Sequence, residues 1–294
     1  MRVRDRSGGE RPPEDFMSSS RAKLYAGRGK AAVALTIAGS DSGGGAGIQA
    51  DLKTFEAFGV FGTCAVTCVT AQNPDRVAAV EPISPRIVRE QIRAVCSAFP
   101  VAAAKTGMLY SAAIIREVAG EIRRNTVPWL VVDPVMVSTS GARLLRKDAM
   151  MALLDCLAPV ASVLTPNIPE AEALLGERIR SESDLVEAAV SLSRMLGCGV
   201  VVKGGHLRGR LAVDAFSADG LSVRRYYTRR IAAAQTHGTG CTFAAALTAA
   251  LAIGIRLEDS VFIAKSFVQS ALRGAMRIGR YSPLGWRAAG AGLD

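Results

Sequence analysis

The residues of this chain that could do chemistry gather in five short segments. The first, Gly39-Ser-Asp-Ser-Gly-Gly-Gly-Ala-Gly47, puts five glycines within nine residues and runs straight into the helix-like stretch Ile48-Gln-Ala-Asp-Leu-Lys53. Backbone amides there can approach a ligand closely at a helix start. Read as Gly45-x-Gly47-x-x-Ala50 it fits a loose dinucleotide fingerprint. The acidic residue needed about twenty positions on is replaced by Ala71-Gln72-Asn73, which argues against a nicotinamide oxidoreductase. The second segment, Thr70-Ala-Gln-Asn-Pro74, carries an amide able to match an aminopyrimidine edge with one donor and one acceptor, or else to serve as a polar loop residue. The third is Asp133-Pro-Val-Met136, a carboxylate before a rigid proline, suited to magnesium and its water shell or to a plain turn. In Thr165-Pro-Asn-Ile-Pro-Glu170 the second proline suits the first turn of a helix, so that Asn167 and Glu170 either face a common crevice or act as caps. The fifth, His237-Gly-Thr-Gly-Cys-Thr242, precedes an apolar helix, and its small residues can turn successive amides outward as an anion nest. Cys241 sits where a helix start tends to lower a thiol's pKa, unless it is a buried inert side chain.

Positioning these segments requires strands and helices in alternation. Strand patterns cover Val33–Ala38, Cys64–Thr70, Trp129–Asp133, Ser162–Thr165 and Val200–Lys203. Between and beyond them, apolar residues at three- and four-residue spacing predict helices over Ile48–Phe58, Pro85–Ala98, Ala112–Arg123, Lys147–Leu157, Asp184–Leu196, Thr242–Ala252 and Glu258–Met276. This alternation implies an α/β fold with a doubly wound, mostly parallel sheet and helices on both faces. Ala212–Ser217 and Leu221–Tyr227 read as an antiparallel hairpin at its edge. Ligands of such a sheet bind beyond the carboxyl ends of the strands, where the candidate segments fall.

Composition narrows the classes further. Hydrophobic residues make up 49% of the chain but aromatic residues only 5%, so the core must be aliphatic, as helices layered on a parallel sheet require. The charge of +10 comes from scattered basic residues without aromatic interleaving, a pattern that favours a small polyanion over nucleic acid. Six cysteines without a CxxC pair and only two histidines speak against a zinc site or disulfide framework. Cys64 and Cys68, four apart in a strand, read as small apolar residues on one face. No uninterrupted apolar run reaches about 18 residues and no hydrophobic signal core is present, so a cytoplasmic protein is expected. Residues 1–30, rich in Arg, Gly, Pro and Ser, read as a disordered extension before a single domain over 31–294. Asp5, Glu10, Glu14 and Asp15 speak against a transit peptide, and Met17 is an alternative start.

Taken together, the motifs resemble the ribokinase-like superfamily, and within it the hydroxymethylpyrimidine/phosphomethylpyrimidine kinases of thiamine biosynthesis. The resemblance runs from about Ala34 to Leu272 and includes Lys105-Thr-Gly-Met-Leu109 and Val202-Lys-Gly-Gly-His206 besides the segments above. It implies ATP and Mg2+ as cofactors, an aminopyrimidine alcohol as substrate, no nucleic-acid or membrane partner, and a homodimer. It further implies that Gly39, Asp51, Gln72 and Met108 line the pyrimidine pocket and that Asn167 and Lys203 serve the nucleotide. Asp133 and Glu170 would organise the metal. Gly238, Thr239 and Gly240 would form the anion hole, with Cys241 standing where sugar kinases of the superfamily carry a catalytic Asp. Pyridoxal kinase is the neighbouring alternative. Two departures stand out: Ser140-Gly141-Ala142 replaces the family's frequent Ser-Gly-Asp, and Gly279–Trp286 lacks a terminal histidine segment, which puts tail contacts in doubt.

Overall fold

A computed structural model describes residues 31–136, 147–231 and 237–291. The expectations for residues 1–30 and for Ser140-Gly141-Ala142 lie outside the described residues. A nine-stranded sheet runs in the order β3-β2-β1-β4-β5-β6-β7-β8-β9. Its parallel centre consists of β2 (Phe61–Gln72), β1 (Val33–Asp41), β4 (Val101–Thr106), β5 (Leu130–Val132), β6 (Val163–Leu164) and β7 (Gly199–Lys203). The expected antiparallel edge is present as β8 (Leu211–Ser217) and β9 (Arg224–Arg229). Its second strand begins later than the pattern suggested, because the Asp219 carboxylate accepts the amides of Leu221 and Ser222 and lengthens the turn. At the opposite edge β3 (Val77–Pro82) pairs antiparallel with β2, which the sequence reading did not foresee.

Nor was β4 foreseen. Three alanines and a lysine give it no strand signature, yet Ala103, Ala104, Lys105 and Thr106 are wholly buried. It is a strand because it lies between β1 and β5, and its short side chains let helices pack closely on the sheet.

One face of the sheet is covered by α2 (Pro85–Ala98), α3 (Ala112–Arg124), α4 (Lys147–Ala152), α5 (Ile168–Leu175) and α6 (Glu182–Leu196). The other carries α1 (Gly47–Ala57), α7 (Thr239–Ala252), α8 (Leu257–Arg273) and α9 (Trp286–Ala291). The helix expected over Lys147–Leu157 is α-helical only to Ala152, then passes through a π turn over Leu153–Leu157 and a 3-10 turn over Ala158–Val160 that contains Pro159. Nearly every residue of α7 from Thr242 to Leu251 is buried, as an apolar helix between sheet and α8 demands. The two apolar layers together hold the six parallel strands so that all their carboxyl ends open on one edge of the sheet.

Candidate active site

Each parallel strand delivers one functional segment to that edge. A cavity of about 560 Å3 there is lined by Gly39, Gln72, Met108, Asp133, Asn167, Glu170, Lys203, Gly238, Thr239, Gly240 and Cys241. Segments up to about 200 residues apart in sequence therefore converge, and of the sequence-derived candidates only Asp51 stays out of the lining.

Asp51 is fully buried on α1 behind the cavity wall. Its carboxylate accepts Thr36 Oγ1 at 2.6 Å and holds Lys105 Nζ at 2.9 and 3.0 Å. It lies behind the lining rather than in it, since a carboxylate with no exposure and three hydrogen bonds from two partners, Thr36 and Lys105, has no edge left for a ring. Burial opposes the Lys105 charge, but Asp51, and beyond it Cys241 and Asp133, hold the ammonium above its ordinary range. This pair is a buried support under the acceptor wall, and removing one member would strand the other.

The glycine-rich loop is organised by Asp41, which sequence reasoning quoted but gave no role. Its Oδ1 accepts Gly43 N at 2.8 Å, and its Oδ2 accepts Gly45 N at 3.1 Å and Ala46 N at 2.8 Å. His237 Nε2 lies 3.2 Å from the same Oδ2 and 3.3 Å from Gln72 Nε2. Burial works against the Asp41 charge, yet His237 and the amides of Gly43 and Ala46 keep its carboxyl below the usual range. The loop is thereby clasped to the segment before α7. Gly238 itself has φ +81°, and a Cβ there would collide with the Gly45 carbonyl, so only glycine fits.

At the start of α7 the first-turn amides have no intrahelical carbonyl to bind, and the N-cap residue Gly238 has no side chain with which to cap them. A Cβ placed on Gly240 would sit 3.5 Å from Lys203 Nζ and 3.7 Å from Asp133 Oδ2, so this helix start and the charged cluster face one another. Lys203 Nζ meets Asp133 Oδ1 at 3.0 Å. Burial opposes its charge, while Asp133 and Glu170 hold it above the ordinary lysine range. Glu170 forms a capping box with Asn167: its Oε2 accepts Asn167 N at 2.8 Å and Asn167 Oδ1 accepts Glu170 N at 3.0 Å. Its Oε1 accepts Met136 N at 3.2 Å, across from Val135, whose φ of +34° is strained for a β-branched residue. Burial pushes the Glu170 carboxyl up, Lys203 offsetting only part of it. Capping and crevice-facing, left as alternatives by the sequence, are therefore combined in the same side chains.

Cys241 departs from what its position suggests. Its thiol is pushed up to about 11 by burial, Lys105 lowering it and Asp51 and Asp133 raising it further. Desolvation outweighs the helix start, and the side chain is a neutral thiol near pH 7.

The cavity extends past Lys203 along Gly205, His206, Asp214, Thr228, Arg229, Lys265 and Gln269. Asp214 Oδ2 pairs with Lys265 Nζ at 2.7 Å, both nearly buried. Burial, Lys203 and Arg230 all lower the His206 pKa, which leaves it a neutral imidazole. Of this half the sequence motifs reached only Gly205 and His206, at the end of Val202-Lys-Gly-Gly-His206; the other residues come from β8, β9 and α8, with no shared spacing.

Among the described residues no three His, Cys, Asp or Glu side chains cluster as a closed metal cage, and no helix is long and apolar enough to cross a membrane. Asp133 and Glu170 are two carboxylates on the cavity lining, the oxygen chemistry that a magnesium ion takes.

The chain is 47% identical over 248 residues to the hydroxymethylpyrimidine/phosphomethylpyrimidine kinase of Rhizobium meliloti, covering 84% of this chain and 92% of that one. It is equally similar, at 47% over 253 residues, to the enzyme of that name from Haemophilus influenzae, over 84% and 93% of the two chains. Among solved structures, an ADP complex of Bacillus subtilis pyridoxal kinase superposes with a TM-score of 0.82 at 38% identity, over 88% of this chain and 98% of that one. The phosphomethylpyrimidine kinase of Clostridium difficile gives 0.72 at 41% identity, over 82% and 99%. The sequence model of the phosphomethylpyrimidine kinase family matches residues 41–284, and with this ribokinase-like fold and site the chain is a kinase that belongs to that family.

Proposed function

We propose that this kinase transfers the γ-phosphoryl group of ATP to the hydroxymethyl oxygen of 4-amino-5-hydroxymethyl-2-methylpyrimidine, and then a second one to the resulting monophosphate, in thiamine biosynthesis. The observation that carries the reading is the meeting, in one cavity, of the Gln72 amide, a glycine-rich helix start and the Asp133–Lys203–Glu170 cluster. Gln72 reads the ring edge, with Gly39 and Met108 packed beside it. The amides of Gly238, Thr239 and Gly240 receive the transferring phosphoryl oxygens, the charge that grows there being the main thing to stabilise. Lys203 and Asn167 serve the nucleotide phosphates. Asp133 and Glu170 would hold Mg2+, which would supply neutralisation of phosphate charge. Cys241 stands beside the acceptor oxygen as its proton acceptor in the thiolate form, the minor form of a thiol pushed up to about 11, and becomes the neutral thiol as the hydroxymethyl proton arrives.

The site's pyridoxal-kinase neighbours make pyridoxal the competing substrate. Incubation with ATP, magnesium and either alcohol, with products identified by mass, decides between them. The reading predicts the pyrimidine mono- and diphosphates, and product from pyridoxal alone would overturn it. It carries with it a cytoplasmic homodimer, tested by light scattering of the purified protein.

A further inference from the structure

We infer that His237 fixes the orientation of the Gln72 amide and so decides which ring edge the site accepts: an amino group beside a bare ring nitrogen rather than a carbonyl beside a ring N–H. The inference rests on the proposed function and adds a specificity-determining residue to it.

Asp41 is a carboxylate with three backbone amides on it and a pKa held low, so it only accepts. His237 Nε2, 3.2 Å from Asp41 Oδ2, must therefore carry its proton. The amide end of Gln72 that lies 3.3 Å from this nitrogen thus faces an N–H. An NH2 group there would set donor against donor, whereas a half-turn of the amide brings its carbonyl oxygen to share the imidazole proton. The same half-turn sends the NH2 to Thr70 Oγ1, 3.1 Å from the amide's other end. Thr70 can accept there, since its own proton goes to Ser40 O at 3.0 Å. Every donor then meets an acceptor, and the chain of fixed orientations starts from the one group that cannot donate.

With the amide so held, one N–H and one carbonyl lone pair remain for a ligand in a fixed order along the cavity wall. An aminopyrimidine offers the matching acceptor and donor from its ring nitrogen and exocyclic amine. A 4-oxo ring, with its ring N–H and carbonyl, offers the reverse, and only an amide free to turn could pair with it.

The test is calorimetric binding, without ATP, of 4-amino-5-hydroxymethyl-2-methylpyrimidine and its 4-oxo counterpart to the full-length protein. Wild type is expected to prefer the amino ring, and His237→Phe to lose roughly tenfold of that preference, the scale of one mismatched buried hydrogen bond. The preference is a ratio, so a general loosening of the site that weakens both ligands cancels. His237→Gln, a smaller change whose amide can present either end, is expected to lose preference as well and stands in if the Phe variant does not fold. Thr70→Val is expected to keep it, because a hydroxyl can serve either end of an amide. An unchanged ratio in the folded His237 variants, or a wild type indifferent to the two rings, overturns the inference. A wild type that binds neither ring overturns the functional reading, and the inference falls with it.

Discussion

The Cys241 thiol offers the sharpest quantitative test of the site's electrostatics. With its pKa pushed up to about 11, the thiolate fraction near pH 7 is roughly one in ten thousand, four pH units below the midpoint. Alkylation by iodoacetamide proceeds through the thiolate, so the second-order rate at this residue should climb about tenfold per pH unit from 7 to 10 without a plateau. The assay is mass spectrometry of the Cys241 peptide, in the ligand-free protein, over short exposures at each pH. Added pyrimidine should protect it. Cys241→Ala should lower kcat by roughly 10²–10⁴-fold if the residue takes the acceptor's proton, and Cys241→Asp should recover part of that loss. A rate that levels off by pH 7–8 would mean that the helix start, not burial, sets the thiol, and would refute the electrostatic reasoning.

Three further expectations follow from contacts around the site. Gln72→Leu should raise the pyrimidine KM by an amount equivalent to about 1–3 kcal/mol while leaving nucleotide affinity near wild type, measured by steady-state kinetics. Lys105→Met leaves Asp51 without its cation in a fully buried position, and chemical denaturation should show a loss of about 3–5 kcal/mol. Trp286 of α9 donates its indole N–H to Thr242 Oγ1 at 3.0 Å, and its ring lies under Lys53, whose ammonium binds Gly44 O at 2.6 Å. Trp286→Phe keeps the ring but loses the donor, so hydrogen exchange should quicken in the glycine loop and the first turn of α7, with a stability loss of about 1 kcal/mol. Arg280 and Tyr281 add a second tie, both bonding the Asp75 carboxylate.

What could be read in the sequence follows from how local the determinants are. The capping box of Asn167 and Glu170, the glycine-rich loop and the helix start at Gly238 are written in adjacent residues, and their motifs could be recognised. The strand β4 could not, because Ala103, Ala104 and Lys105 become strand-like only between neighbours supplied from elsewhere. Lys105 has its reason in Asp51, 54 residues away, and His237 has its reason in Asp41, 196 residues away. Asp51 was misplaced for the same cause: a carboxylate in a recognised motif gives no sign that a buried ammonium already occupies it. The thiol of Cys241 sits at a legible helix start, but the burial that dominates its titration belongs to the packed fold.

The central claim is that this cavity selects the aminopyrimidine alcohol for phosphorylation by ATP. Its most direct test is the ratio of kcat/KM for 4-amino-5-hydroxymethyl-2-methylpyrimidine to that for pyridoxal, measured on the full-length protein with saturating ATP and magnesium. The account predicts a ratio well above one that collapses in Gln72→Leu. A ratio below one in wild type, or one that Gln72→Leu leaves unchanged, would contradict it.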